Sequence, residues 1–78
     1  MPPRQPRDDR SATRLRQFGA RVRELRTQRG RSQEQFAHDC GFHRTYVGSI
    51  ERGEVNPSVL NAYRLADALE VSVADLFA

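Results

Sequence analysis

A chain of 78 residues holds one domain, with a core too small to enclose a large catalytic pocket. Its formal charge of +3 and pI near 10.0 suit a polyanionic partner, while no nucleophile–base pair, carboxylate dyad or phosphate-cradling glycine loop points to an enzyme. All 13 basic residues are arginine and they are unevenly spread: residues 1–31 carry ten against three acids, net +7, and residues 32–78 carry three against seven, net −4.

Residues 1–11 combine three prolines with alternating charge and no large apolar residue besides Met1, which predicts a disordered basic tail ahead of a domain at 12–78. Such a tail is either an arginine arm for DNA or a solvated segment. The first helix is expected over residues 13–29, where Leu15, Phe18, Val22 and Leu25 recur at three- and four-residue spacing and Gly30 stops the pattern. Arg14, Arg21 and Arg29 fall off that stripe. A second helix starts at Ser32, whose hydroxyl can cap it, with Gln35 completing a capping box. Phe36, Ala37 and Cys40 then form one apolar face before Gly41 turns the chain. From Arg44 a third helix sends Val47 and Ile50 inward and leaves a polar, basic face outside, and Gly53 and Pro57 end it. Ser58 caps a fourth helix that buries Ala62, Leu65, Ala66 and Leu69. Ser72 with Asp75 caps a fifth, after which Leu76 and Phe77 are expected partly to close the core and partly to form a dimer surface. The expected fold is all-α, a compact five-helix bundle.

One cysteine permits no internal disulfide, and the first 25 residues show no apolar run like a signal peptide or a membrane span, so a cytoplasmic protein is expected. His38, Cys40 and His43 are close in sequence. They make a poor metal set, because Cys40 belongs to the apolar stripe, His38 lies on another face and a fourth ligand is missing. No cofactor or metal is expected.

Two short helices joined by a glycine turn make a helix-turn-helix unit, whose second helix fits the DNA major groove. The spacing of Ser32-Gln33, Phe36-Ala37, Gly41, Tyr46-Val47, Ile50-Glu51-Arg52-Gly53 and Asn56-Pro57-Ser58, with Leu65-Ala66, Leu69 and Leu76-Phe77 beyond, resembles the lambda-repressor-like family. This is the helix-turn-helix family of lambdoid phage repressors and Cro proteins, also called the xenobiotic-response-element type. The resemblance covers roughly residues 14–78 and extends to small stand-alone regulators such as restriction–modification controller proteins.

The resemblance implies roles residue by residue. Arg26 would pair with Glu51 as a structural ion pair between the first and third helices. Arg44, Thr45 and Ser49 would meet base edges, Arg44 offering two donors to guanine O6 and N7. Gln33 would contact a phosphate at the start of the second helix, with Arg52 and Asn56 at the other rim. Tyr46 is either a phosphate donor or half-buried core. His43 stands where the family usually places a serine or threonine cap, and would meet a phosphate instead. Gly48 would let the helix approach the groove or pack on the second helix. A homodimer is implied, with Leu76 and Phe77 at its interface and an inverted-repeat operator on double-stranded DNA. Two other readings stay open at this point: an antitoxin that also captures a protein toxin, and a scaffold whose third helix docks a protein.

Overall fold

The computed structural model describes residues 9–78. The expected tail lies outside the described residues up to position 8, and the chain is already helical at positions 9–11. Among the described residues there are four α-helices and no strand: α1 (Asp9–Gln28), α2 (Gln33–Cys40), α3 (Arg44–Glu51) and α4 (Val59–Leu69). The expected fifth α-helix is instead a short 3-10 helix, Val73–Phe77. Ser72 and Asp75 do form the capping box, but the segment then closes i to i+3 bonds, such as Asp75 N–H to the Ser72 carbonyl at 3.0 Å. A cap marks where a helix starts and leaves its winding open.

The caps explain why these short segments are helical at all, since helices of eight residues gain little from propensity. Ser32 accepts from the Gln35 N–H while Gln35 reaches back to the Ser32 N–H. At the other end Gly41 takes φ +76°, a left-handed conformation that costs a Cβ-bearing residue about 1 kcal/mol or more, and its N–H closes on the Ala37 and His38 carbonyls.

Phe18, Val22 and Leu25 of α1, Phe36, Ala37 and Cys40 of α2, Val47 and Ile50 of α3, and Ala62, Leu65, Ala66 and Leu69 of α4 form one buried core, closed by Leu76. Leu15 is only half-buried, at the margin of the stripe. Burial pushes the Cys40 thiol up to about 12, with Asp39 adding and Arg64 opposing. Below about pH 9 the thiol is protonated both folded and unfolded. Above it the unfolded chain ionises first, so this contribution to stability is lost as pH rises toward 12. Between pH 8 and pH 10 urea unfolding is expected to show about 1 kcal/mol of loss that Cys40→Ala does not show.

Helix α1 meets α3 through Gly19. A Cβ there would stand 2.6 Å from the Glu51 carbonyl oxygen and closer still to that of Ile50, so only glycine allows this approach. Gly19→Ala is expected to cost about 1–3 kcal/mol in urea unfolding despite alanine's better helix propensity. No helix among the described residues is long and apolar enough to cross a membrane.

Candidate nucleic-acid interface

Helix α3 has two faces with different tasks. Its inner face, Val47, Ile50 and Glu51, is buried, while Arg44 and Thr45 stand exposed on the first turn and Ser49 is half-buried one turn on from Thr45. Arg44 makes no hydrogen bond or ion pair with any described residue. It is therefore free to donate both arms of its guanidinium outward.

His43 caps this helix. Its Nδ1 accepts from the Thr45 N–H at 3.3 Å, which places the ring hydrogen on Nε2, where it can be donated outward. An imidazole acceptor thus replaces the expected hydroxyl. Gly48 is covered by Arg52, because a Cβ there would meet the Arg52 Nη1 at 3.0 Å. Its missing side chain makes room for that guanidinium.

Three residues hold α3 from behind through its Glu51. Arg26 grips Glu51 with two parallel bonds, Nε to Oε2 at 2.7 Å and Nη2 to Oε1 at 3.0 Å, and donates through Nη1 to the Arg31 carbonyl at 2.7 Å. Gln33 Nε2 donates to the same Glu51 Oε1 at 3.0 Å. Arg26 and Glu51 are both 8% exposed, and no buried side-chain polar atom among the described residues lacks a partner. The network ties the end of α1, the α1–α2 loop and the start of α2 to the last turn of α3. One Gln33 amide N–H is thus spent on Glu51, leaving the other, with the backbone N–H groups of the first turn of α2, to offer an anion.

Tyr46 packs edge-on against Phe42 at 5.0 Å and accepts from Asn61 Nδ2 at 3.0 Å. It is half-buried, and its own hydroxyl hydrogen stays available to a phosphate. Arg52 is doubly bonded to Glu54, at 2.9 and 3.1 Å, which holds the Glu54 carboxyl below its ordinary range and raises the arginine. A phosphate at Arg52 has to compete with that carboxylate. Asn56 is exposed on the loop after α3.

The two terminal apolar residues divide their tasks. Leu76 is fully buried, so it closes the core and presents nothing to a partner, whereas Phe77 stacks on Phe18 at 5.1 Å and stays 67% exposed. Val59 of α4 lines a groove together with Phe77, and Leu60 and Tyr63 of the same helix are exposed as well, the three at 75%, 67% and 52%. That groove, of about 690 Å³, runs between α1, the first turn of α4 and Phe77. The α4 residues were missed in the sequence because they fall outside that helix's core stripe. Among the described residues no three His, Cys, Asp or Glu side chains converge on a common metal position, and His38 and His43 are exposed while Cys40 is buried.

Comparison with known proteins places this geometry. A helix-turn-helix family model, HTH_3, matches residues 22–76. The control protein C.BamHI of Bacillus amyloliquefaciens is 43% identical over 60 residues, 76% of this chain and 74% of that protein. Control protein C.SmaI of Serratia marcescens is 47% identical over 55 residues, 70% of this chain and 66% of its own length. Among solved structures, the restriction-modification controller protein C.AhdI of Aeromonas hydrophila superposes with a TM-score of 0.80 at 49% identity, covering 81% of this chain and 96% of that one. The matched span begins inside α1 and takes in both helices of the turn unit, α4 and most of the terminal 3-10 helix, so this chain belongs to the HTH_3 helix-turn-helix family.

Proposed function

We propose that this protein is a sequence-specific, double-stranded DNA-binding transcriptional regulator that places α3 in the major groove. The observation that carries the reading is the division of α3: an uncommitted Arg44 and Thr45 lead the helix, and a buried ion-pair network fixes its far end to two neighbouring helices. Rigid presentation of a few side chains is what base readout needs. Arg44, Thr45 and Ser49 read base edges. The α2 N-terminus, His43 Nε2–H, the Tyr46 hydroxyl, Arg52 and Asn56 position the backbone.

The protein acts in the cytoplasm as a homodimer on an inverted repeat. Phe77, Val59, Leu60 and Tyr63 supply the apolar face for a second copy, in place of Leu76. The control-protein relatives favour a controller of a restriction–modification system over an antitoxin. Selection of bound duplexes from a random pool at near-physiological salt tests the reading. It predicts an inverted repeat with half-sites about 34 Å apart, one helical turn. Recovery of no motif would contradict it.

A further inference from the structure

We infer that α1 carries a second, sequence-independent contact to the DNA backbone, made by Arg16 and Arg23. The inference rests on the DNA-binding reading above and adds residues that the turn unit does not contain.

Two close backbone approaches define the surface. A Cβ on Gly53 would stand 2.7 Å from the Arg16 Cα, and Gly19 lies beneath the carbonyls that end α3. One turn further along α1, Ala20, Arg23, Thr27 and Glu24, the last already paired with Arg21, border a shallow depression whose other wall is the buried Glu51. The last turn of α3 therefore crosses α1 between Arg16 and Arg23, which stand about 10 Å apart along the helix axis at 1.5 Å per residue. When the first turn of α3 meets the bases, its last turn lies at the groove rim, where phosphates run. Arg16 and Arg23 flank that rim on the side that also holds Arg52 and Gly53.

Charge pairing leaves both residues available; Arg10 and Arg14 of α1 and Arg64 of α4 also lack a carboxylate partner among the described residues, but only Arg16 and Arg23 border the last turn of α3. Arg21 is used by Glu24 at 3.0 Å and the Asp75 carbonyl at 2.8 Å, on the flank of α1 that faces the terminal 3-10 helix. Arg26, Arg29, Arg31 and Arg52 are paired with Glu51, Glu70, Asp39 and Glu54. Arg23 has no carboxylate partner among the described residues, and Arg16 reaches only the Thr13 hydroxyl, at 3.3 Å. Both are exposed. An unpaired, exposed guanidinium can neutralise a phosphate without first leaving a carboxylate. A rival role, offsetting the negative C-terminal end of α3, acts on folding and leaves DNA binding at matched stability unchanged.

The test uses the full chain, the duplex recovered by selection, and dissociation constants from 50 to 200 mM salt. Arg16→Gln/Arg23→Gln is compared with Arg29→Gln/Arg64→Gln, which removes equal charge away from this flank. The α1 variant is expected to flatten the plot of log affinity against log salt by about 1.8 per protomer, with base preference and melting temperature unchanged. An unchanged slope, an equal change in the control pair, or a fall in melting temperature without a change in slope overturns the contact. Failure of the unsubstituted protein to select any duplex would sink the DNA-binding reading itself, and this contact with it.

Discussion

Glu51→Gln is expected to lower stability by about 3–5 kcal/mol, because it leaves the Arg26 guanidinium buried without its counter-charge. A domain of this size has roughly 4–12 kcal/mol in all, at 0.05–0.15 kcal/mol per residue, so the loss would bring it near unfolding at 37 °C. The glutamine keeps the shape and one acceptor, which separates the charge from the packing. Arg26→Met/Glu51→Leu, which removes both charges together, is expected to regain much of that stability, as buried ion pairs exchange well for apolar residues. It should still bind DNA less well, since Gln33 loses its anchor and α2 its register against α3. Urea unfolding of Glu51→Gln measures the charge loss, and Arg26→Met, Glu51→Leu and their double variant, read as a double-mutant cycle, measure the coupling of the pair. A cost below about 1 kcal/mol for Glu51→Gln would mean that the network is not what clamps α3.

Arg44→Ala is expected to cost about 1–3 kcal/mol per half-site, and so about 2–6 kcal/mol on a dimer engaging both. The loss should be concentrated at one base position, with flattened preference there and retained preference elsewhere. Because Arg44 is exposed and bound to nothing among the described residues, the substitution should leave the melting temperature within a degree or two. Arg52→Ala should differ in kind. It frees Glu54 as it removes a cation, so all duplexes should weaken alike. Binding of a set of single-position duplex variants separates the two patterns. A uniform loss for Arg44→Ala would show that this residue contacts the backbone.

Local grammar made most of the fold legible. Ser32 with Gln35, Gly41, Gly53, Ser58 and the apolar stripes are contiguous signals, and each sits in the structure at the position its chemistry requires. What stayed hidden depends on contacts between distant parts of the chain. Gly19 reads as a mild defect in a helix until α3 is laid across it. Glu70 ends α4 in a left-handed conformation, φ 59°, that glycine takes elsewhere in the chain, and no residue type announced it. Leu76 and Phe77 are adjacent and equally apolar, and only the direction of the last turn decides which is buried.

The candidate site was legible to a similar extent. The positions on α3 followed from helical spacing and the family resemblance, and Arg26 with Glu51 from the resemblance alone. The partners did not follow. Gln33 turns toward Glu51, Arg52 is claimed by Glu54, and His43 supplies the cap that its residue type seemed to deny. Charge counted by region had located the basic field in the N-terminal third. It could not show which arginines of α1 are spent on carboxylates and which are left for a partner.

The most direct test of α3 as a major-groove reader is methylation interference on the selected duplex. Guanine N7 lies in the major groove and adenine N3 in the minor groove, so the two modifications report on opposite faces of the base pairs. The expected result is interference from N7 methylation at one guanine per half-site, lost when Arg44 is replaced by alanine. Interference confined to adenine N3, or N7 interference that persists in Arg44→Ala, would contradict the placement of Arg44 on a guanine edge.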